Sequence, residues 1–330
     1  MRILFITSNR LGDAVLSTGI LAGLGERYPG AEFWVACGPL ATPVFKHAPG
    51  VTRIIEMKKA PRAGHWRKLL AAVLPHRWDV VVDLRGSATA WLLWTKKRYI
   101  LKPDHSLHRV VHNATVAGFD PPPDPCVWPG EAMRARARDI VPDGMSVLAI
   151  GPAAAWRGKM WPIENFKELA RRLLQPGGAM EGAHLLVTGG PADRDICQPL
   201  LDAVPEDRRI DLVGAAIDET AACFERIRLY IGNDSGLMHL AAAAGAPTVG
   251  LFGPSPEDLY RPWGKKTAFV RVPRSLEELR AGADGEAGWQ RGSHMEDLEV
   301  ATVEDAAIAL LARTAASGDN APPQTERRPV

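Results

Sequence analysis

A short polar turn between an apolar run and an alanine-rich stretch has the residue types of an anion site. It reads Gly232-Asn233-Asp234-Ser235-Gly236 and follows the predicted strand Leu229–Gly232. A strand, a polar turn and an immediate helix point free backbone N–H groups at one spot, where the helix dipole adds positive charge. Gly236 would let a phosphate approach the backbone, and Ser235 could donate a hydroxyl hydrogen. The segment predicts a phosphate site that includes Asp234, Ser235 and Gly236.

The same turn has a simpler structural interpretation. Asp and Ser are both common helix N-caps, so Asp234 or Ser235 could serve only to begin the helix. His239, one turn into the helix, is a further candidate residue of this site, but it could be a core histidine. A second strand end follows at Leu251–Pro254. Two strand ends at the carboxyl edge of a parallel sheet favour a binding site over a simple cap.

The elements that would position this site alternate between strands and helices. In the first half, strands are predicted at Ile3–Thr7, Ala31–Cys37, Ile54–Glu56 and Val80–Leu84, with helices at Asp13–Tyr28 and Arg67–Leu74. A second series of the same kind runs from Val147 to Phe252. Near-continuous apolar strands separated by helices are typical of parallel sheets covered on both faces. We therefore predict an α/β fold of two Rossmann-like, doubly wound domains facing a cleft.

Proline marks the approach to the domain boundary. Residues 120–130 contain five prolines, which exclude a helix or a central strand. We predict an N-terminal domain over residues 1–144, with a connecting segment before residue 144, and a C-terminal domain over residues 145–316. Residues 273–297 predict an irregular loop, and a final helix is expected at Val303–Thr314. Residues 317–330 are proline-rich and polar, which predicts a disordered tail.

Composition narrows the class of protein. A chain of 330 residues favours two domains, and 46% hydrophobic with 24% charged residues fits a globular protein. No apolar run reaches the roughly 18 residues of a membrane span, and the N-terminus lacks a signal peptide, so we expect a cytoplasmic protein. Four cysteines without CxxC spacing favour buried thiols over a zinc site or disulfides.

Residues 1–140 carry a net charge of +9 and residues 141–330 a net charge of −7. The positive half is therefore the candidate for an anionic partner, unless its charge serves only solubility.

The segment Ile231–Pro254 resembles the donor-binding segment of glycosyltransferase family 9, the lipopolysaccharide heptosyltransferases. Five further segments resemble motifs of this family and occur along the chain in the same order as in the family. The first of them resembles the family's R-x-G-D-x-x-L signature. They are Arg10–Leu16, Asp79–Gly86, Lys159–Pro162, Thr188–Pro191 and Met295–Leu298. The resemblance implies the GT-B architecture and an inverting, metal-independent transferase without a cofactor. It further implies ADP-heptose as the donor and a lipopolysaccharide core acceptor, with another nucleotide-sugar or glycan as the alternative.

The resemblance also implies residue roles. Asp13 would be the general base that takes a proton from the acceptor hydroxyl, although it could be the N-cap of its helix. Lys159 would contact the donor phosphates in place of a metal ion, with Arg157 nearby, or be an ordinary surface lysine. Asp193 would meet the donor ribose or cap the helix that follows. The loop Ala153–Trp156 departs from the family, which leaves the donor sugar open.

Basic residues in the first domain predict where an anionic acceptor binds. We expect Arg10 and Gly12, beside the proposed base, and the basic residues Lys58, Lys59 and Arg62 to contact an anionic glycolipid. The same charge would suit peripheral contact with the inner membrane, or could be a solvated face. Nucleic acid is not expected, because no nucleic-acid motif accompanies the charge. Three histidines would share one face if their segment were helical, and would then contact acceptor or solvent. They are His105, His108 and His112.

Three other classes of protein share some of these features. A nicotinamide dehydrogenase would carry GxGxxG after its first strand, but the turn Thr7–Gly12 has one glycine. A periplasmic binding protein would need a signal peptide. A nucleotide-sugar epimerase would act on the donor alone, which leaves the basic first domain without a purpose.

Overall fold

The computed structural model describes residues 1–283, 285, 289 and 292–316. The predicted tail at 317–330 lies outside the described residues. The chain forms two compact units, one of residues 1–130 with 258–263, the other of residues 131–257 with the remainder from residue 264. The predicted domain limits run along the chain without interruption, whereas the first unit includes a returning segment. The limits at residues 144 and 316 stay a prediction.

The first unit is built on one parallel sheet. Its strands are β1 (Arg2–Ile6), β2 (Glu32–Cys37), β3 (Val51–Glu56), β4 (Trp78–Asp83) and β5 (Thr95–Ile100). Its helices are α1 (Leu11–Val15), α2 (Thr18–Arg27), α3 (Thr42–Phe45), α4 (Gly64–Val73), α5 (Thr89–Leu92) and α6 (Arg109–Thr115). The strand order is β3-β2-β1-β4-β5, so the chain begins in the middle and winds outward in both directions. The carboxyl ends of β1 and β4 therefore form the switch point, where open α/β sheets bind ligands.

The second unit repeats this plan. Its strands are β6 (Val147–Gly151), β7 (His184–Gly189), β8 (Arg209–Val213), β9 (Leu229–Asn233), β10 (Thr248–Phe252) and β11 (Thr267–Arg271). The helices that follow residue 130 along the chain are α7 (Glu131–Ile140), α8 (Ile163–Leu174), α9 (Arg194–Leu201), α10 (Ile217–Phe224), α11 (Gly236–Ala243), α12 (Glu257–Tyr260), α13 (Leu276–Ala281) and α14 (Val300–Ala316). Of these, α12 lies mostly in the segment 258–263 that belongs to the first unit. The order β11-β10-β9-β6-β7-β8 places the switch point between β6 and β9. Both sheets confirm the predicted α/β fold of Rossmann-like, doubly wound units.

Two strands were not predicted, and both lie at a sheet edge. β5 contains Lys96, Lys97 and Arg98, and β11 has only one buried residue, Val270. An edge strand faces solvent on one side, so it lacks the continuous apolar run of a central strand. The other two edge strands, β3 and β8, retain short apolar runs and overlap predicted strands.

The predicted helix Asp13–Tyr28 is two helices, α1 and α2, with a break at Leu16 and Ser17. The Ser17 hydroxyl donates to Ala14 O at 2.7 Å and accepts from Thr7 Oγ1 at 2.7 Å. A side chain that bonds to the backbone three residues earlier competes with the helical ladder. The apolar stripe predicted the helical face correctly but not this break.

Two segments predicted to be irregular contain helices. The expected connection before residue 144 includes α7, and the expected loop at 273–297 includes α13. The Ser275 hydroxyl accepts from Glu278 N, while the Glu278 carboxylate accepts from Ser275 N, which is a capping box. Residues 284, 286–288, 290 and 291 of the expected loop lie outside the described residues.

Apolar side chains cover the sheet faces in each unit. In the first unit Leu4, Ile6 and Val81 pack with Leu69 and Val73 of α4. In the second unit the buried faces of α8 and α14 pack on strands β6, β7, β9 and β10. All four cysteines are free thiols, three of them buried, and burial raises the pKa of each to about 12. Among the described helices, none has the length and apolar character to cross a bilayer.

Candidate functional site

Asn233, the last residue of β9, fixes the loop between β6 and α8. Its Oδ1 accepts from Trp161 N at 3.1 Å, and its Nδ2 donates to Pro152 O at 2.7 Å. The side chain is fully buried, so both hydrogen bonds are protected from water. One side chain therefore ties both ends of a loop that contains Lys159 to the switch point of the second unit.

Asp234 pairs with Lys159. The distance from Lys159 Nζ to Asp234 Oδ2 is 2.5 Å, and the side chains are 25% and 7% exposed. His239 Nε2 lies 3.9 Å from the other carboxylate oxygen. The alternative of an ordinary surface lysine is therefore wrong, because a largely buried carboxylate holds the ammonium group. His239 is buried, but it borders the site instead of lying in an apolar core.

Helix α11 begins at Gly236 with no side-chain cap. Ser235 has the extended backbone of an N-cap (φ −146°, ψ 168°), but its hydroxyl makes no capping hydrogen bond, and Asp234 lies one residue earlier. The interpretation of these two side chains as helix caps is therefore wrong. The N-terminus of α11 retains its unpaired N–H groups and dipole beside the Lys159–Asp234 pair, as an anion site requires.

Glycines at two strand ends make room for the Tyr230 hydroxyl. A Cβ atom at Gly151 would lie 2.1 Å from this oxygen, and one at Gly232 would lie 2.6 Å away. Burial raises the pKa of Tyr230 far above its ordinary value, while the nearby Ser235 hydroxyl lowers it. The phenol is therefore neutral, and the ends of β6 and β9 are packed closely around it.

Residues 293–298 close the other side of the Lys159 loop. His294 N donates to Gly158 O at 3.0 Å, and the Ser293 hydroxyl donates to Met160 O at 2.8 Å. Trp161 Nε1 donates to Leu298 O at 2.8 Å. Two matched motifs, Lys159–Pro162 and Met295–Leu298, are thus neighbours in space although 133 or more residues separate their contacts.

Trp156 lies in the loop that departs from the family. Its ring centroid is 5.7 Å from those of Trp289 and His294. The preceding Ala153 is buried and Ala154 is partly buried. This side of the site is therefore an aromatic and small-residue wall instead of a polar one.

Asp193 occupies the N-cap position of α9 but does not cap it. Its Oδ2 accepts from Gly190 N at 2.7 Å, and no side-chain hydrogen bond to α9 is present. The predicted helix-cap alternative is therefore wrong, since the carboxylate closes the turn that precedes the helix. Contact with a ribose stays a prediction.

The first unit has a polar cavity of about 180 Å³ at its own switch point. Asp13 lines it within the first turn of α1, and the Ser8 hydroxyl lies 3.4 Å from Asp13 Oδ2. Arg10 occupies the N-cap position, so the alternative of Asp13 as the N-cap is wrong. A carboxylate in a helix's first turn also interacts favourably with the dipole.

Arg109 projects into the same cavity and is held by its neighbours. Its Nη2 donates to the Tyr260 hydroxyl at 2.9 Å, and its Nη1 donates to His112 Nδ1 at 3.0 Å. His112 Nε2 donates to Lys102 O at 2.7 Å, which assigns the neutral tautomer. Arg85 also lines the cavity. One acidic residue, Asp13, and two basic residues, Arg85 and Arg109, therefore line the cavity.

Asp83 shapes the turn that carries Arg85. Its carboxylate accepts from Arg85 N at 2.8 Å and from the Ser87 hydroxyl at 2.6 Å. Burial raises the pKa of Asp83, and the hydrogen bonds from Ser87 and Arg85 oppose that shift. The matched motif Asp79–Gly86 therefore provides the turn and a basic side chain, not a second base that faces the cavity.

The remaining predicted acceptor residues are only partly brought together. Arg10 and Gly12 flank Asp13 on α1, whereas Lys58, Lys59 and Arg62 are exposed beyond the end of β3 and do not line the cavity. The last three share the carboxyl edge of the sheet with Asp13, since the strands are parallel. Their contact with an acceptor stays a prediction.

The three histidines do not share a helical face. His105 is exposed ahead of α6, whereas His108 and His112 are buried. His108 is the N-cap of α6, where its Nδ1 accepts from Val110 N, and burial lowers its pKa. The expectation of acceptor or solvent contact is wrong for these two.

The geometry identifies residues that the sequence did not predict as functional. Asn233, Arg85, Arg109 and Tyr260 fall in this group. Asn233 ends one buried strand and Arg85 lies two residues after another, which is a usable signal. Arg109 was recognisable only as one more basic residue of the first domain, and nothing in the local sequence ties Tyr260 to the first unit.

Comparisons with known proteins were consistent with one another. The model of glycosyltransferase family 9 (heptosyltransferase) matches residues 85–284. Lipopolysaccharide heptosyltransferase 2 of Escherichia coli K12 is 24% identical over 86% of this chain and 91% of its own. The solved Escherichia coli ADP-heptose lps heptosyltransferase II shares 23% identity, with a TM-score of 0.74 over 96% of this chain and 100% of that one. A family 9 glycosyl transferase from Veillonella parvula shares 22% identity, with a TM-score of 0.76 over 94% and 97%. At these identities the solved structures show that the fold is shared.

Proposed function

The chain belongs to glycosyltransferase family 9, and from this premise we propose that it transfers heptose from ADP-heptose to a lipopolysaccharide core acceptor. The transfer inverts the anomeric carbon and uses no divalent metal ion. The observation that carries the proposal is the Lys159–Asp234 ion pair beside the uncapped N-terminus of α11, at the switch point of the second unit.

The donor diphosphate binds at this N-terminus. The free N–H groups of α11 and the Lys159 ammonium supply the positive charge that a metal ion provides in other transferases. Gly236 gives the phosphates access to the backbone, and the Ser235 hydroxyl is a further donor. Asp193 accepts hydrogen bonds from the ribose hydroxyls, and His239 lies at the edge of the phosphate site.

The donor's identity rests on relatives. The solved neighbour from Escherichia coli is titled an ADP-heptose lps heptosyltransferase, and the curated relative is a lipopolysaccharide heptosyltransferase. The aromatic wall at Trp156 is compatible with the flat face of a sugar ring. We therefore assign ADP-heptose as the donor.

The acceptor binds in the first unit's cavity. Asp13 is the general base, while Arg85 and Arg109 bind anionic groups of the acceptor. Arg10 and Gly12 border the base, and the exposed side chains of Lys58, Lys59 and Arg62 attract the acceptor along the same sheet edge. The acceptor is a glycolipid, so the enzyme works in peripheral contact with the cytoplasmic face of the inner membrane.

The reaction is a single displacement. Asp13 takes the acceptor hydroxyl proton as its oxygen forms a bond to the anomeric carbon. The bond between that carbon and the phosphate oxygen breaks from the opposite face, and the electron pair leaves with ADP. Lys159 and the α11 dipole stabilise the charge that develops on the departing diphosphate.

Thermal unfolding with ADP, UDP, GDP and their sugars tests the donor assignment. A ligand at 100 times its Kd adds about 2.7 kcal/mol to stability, so the bound nucleotide raises the Tm clearly. We expect ADP to give the largest increase. Larger increases with UDP or GDP would overturn the assignment.

An Asp13→Asn variant tests the base separately. We expect the ADP-induced rise in Tm to be retained, because Asp13 lies in the other unit. Transfer should fall by about two to four orders of magnitude without the base. Turnover equal to that of the unmodified enzyme would remove Asp13 as the base.

A further inference from the structure

Three large apolar side chains within residues 91–94 of the first unit are exposed, and a fourth is exposed at the end of α4. Trp91, Leu92 and Trp94 are 67%, 59% and 73% exposed, and Leu74, at the end of α4, is 53% exposed. These are residue types that folded proteins usually bury, and a contiguous exposed group of them marks an interaction site. We call these four residues the tryptophan patch.

Backbone contacts hold the tryptophan patch together. Trp78 N donates to Trp94 O at 3.0 Å, which joins the start of β4, four residues after Leu74, to the start of β5. Arg98 donates to Ala90 O at 2.7 Å and to Leu93 O at 2.9 Å, across the turn that carries Trp91 and Leu92. The exposed rings are therefore carried on a fixed turn.

Cations surround the tryptophan patch. Arg77 Cζ lies 5.6 Å from the centroid of the Trp94 ring, and Arg98 Cζ lies 5.4 Å from that of Trp91. Lys96 and Lys97, the second and third residues of β5, are exposed close to Trp94. Asp79 pairs with Lys96 at 2.6 Å. The Asp79 carboxylate compensates only one of these four cations, so this surface keeps a net positive charge.

We propose that the tryptophan patch docks this protein on an anionic lipid bilayer. Tryptophan favours the headgroup region, where its ring meets apolar chains and its N–H meets water, and Lys and Arg bind anionic headgroups. Protein–protein interfaces are instead depleted in lysine, whereas Lys96 and Lys97 are exposed next to Trp94. The exposed lysines around the tryptophan patch thus favour a membrane over a protein as the partner.

The tryptophan patch and the Asp13 cavity lie toward opposite ends of strand β5. Trp94 precedes the amino end of β5, while Leu101, which lines the Asp13 cavity, follows its carboxyl end. A six-residue strand spans about 20 Å. The Trp94 end of the tryptophan patch and the cavity therefore lie about this far apart along β5. Given the proposed function, on which this last step rests, the acceptor sugar must extend outward by a similar distance.

Vesicle sedimentation tests the docking surface without donor or acceptor. Full-length protein is mixed with vesicles of phosphatidylcholine and phosphatidylglycerol, or of phosphatidylcholine alone. We expect binding to the anionic vesicles that weakens with added salt. Trp91→Ser/Leu92→Ser/Trp94→Ser should lower binding at least about ten-fold, because the inserted apolar area is lost. Arg77→Glu and Lys97→Glu should each lower it about five-fold or more.

Two variants of the second unit serve as matched controls. Ile308→Ser removes an exposed apolar side chain and Lys265→Glu reverses an exposed charge, both outside the tryptophan patch. Both should bind vesicles like the unmodified protein. Equal binding by the triple variant, or no binding to anionic vesicles, would overturn the proposal.

Two further readouts separate the alternatives. Light scattering measures the oligomeric state of the unmodified protein and of the triple variant. A dimer for the unmodified protein and a monomer for the variant would assign the tryptophan patch to self-association and overturn membrane docking. Transfer to a water-soluble acceptor fragment should be unchanged in the triple variant. If the triple variant loses vesicle binding but keeps transfer activity, the tryptophan patch serves docking alone. If the unmodified protein shows no transfer, the proposed function fails independently of this surface.

Discussion

A carboxylate next to a phosphate site would repel the ligand if it acted alone. Asp234 was predicted to bind the diphosphate, yet its nearest charge is Lys159 Nζ at 2.5 Å. An ammonium group has three N–H donors, so one can bind Asp234 while the others remain available for phosphate. We expect Asp234 to act through Lys159, by positioning and charge compensation, and Lys159 to contact the donor.

Paired variants test this division of roles. Lys159→Met removes the phosphate contact and leaves a buried carboxylate without its partner, so ADP affinity should fall at least about ten-fold, and stability by about 3–5 kcal/mol. Adding Asp234→Asn should restore most of the stability but not the affinity. Calorimetric titration with ADP and urea unfolding measure the two effects. Unchanged ADP affinity in Lys159→Met would contradict the phosphate contact.

The sequence predicted the charged and glycine residues of the proposed donor site better than their supporting partners. Lys159, Asp234, Ser235, Gly236 and His239 were named, and the structure brings them together in the second unit. The hydrogen-bond and ion-pair partners of these residues could not be predicted. Whether an Asp caps a helix, closes a turn or pairs with a lysine depends on tertiary contacts that local sequence does not encode.

At the scale of elements, a single loop positions Lys159 in the proposed donor site. The loop runs from Pro152 to Trp161, and its ends are held by the amide of Asn233. Its far side is held by residues 293–298. Lys159 thus owes its position to two distant segments as well as to its ion pair.

Asn233→Ala should loosen this loop without removing a proposed donor contact. It leaves Trp161 N and Pro152 O without their buried partners, so we expect a loss of about 2–3 kcal/mol in unfolding free energy. ADP affinity should also fall several-fold with Lys159 present. Thr248→Val is the matched control, since it removes one buried hydrogen bond, to Ala246 O, in the same sheet. If both variants bind ADP equally well, the loop does not depend on Asn233.

Strands and helices were predicted correctly where burial produces a simple hydrophobic pattern in the sequence. Central strands such as β4 and β9 are continuous apolar runs and were recognised within a few residues. The edge strands β5 and β11 were not, because one side of an edge faces water and tolerates charge. The charged, weakly apolar helix α7 was also missed, since burial involves a narrow stripe that includes Ala137.

At the scale of the whole molecule, the chain path matters more than sequence order. Residues 258–263 belong to the first unit although they follow most of the second unit's strands. Tyr260 contributes to the Asp13 cavity, Arg261 O accepts from His108 Nε2, and Trp263 Nε1 donates to Asp124 Oδ1 at 2.7 Å. A linear division into two domains, predicted from the prolines at 120–130, could not include this return.

The returning segment should therefore affect the acceptor and not the donor. Tyr260→Phe removes the oxygen that accepts from Arg109 Nη2 at 2.9 Å while keeping the aromatic ring. A hydrogen bond to a charged group is worth about 1.5–3 kcal/mol, so we expect the acceptor KM to rise about ten-fold as Arg109 loses its fixed position. ADP affinity should not change. Tyr28→Phe, which lies outside the cavity, is the control and should leave both values unaltered. An unchanged acceptor KM in Tyr260→Phe would show that Arg109 is positioned without this hydroxyl, whereas weaker ADP binding would assign the segment to the donor.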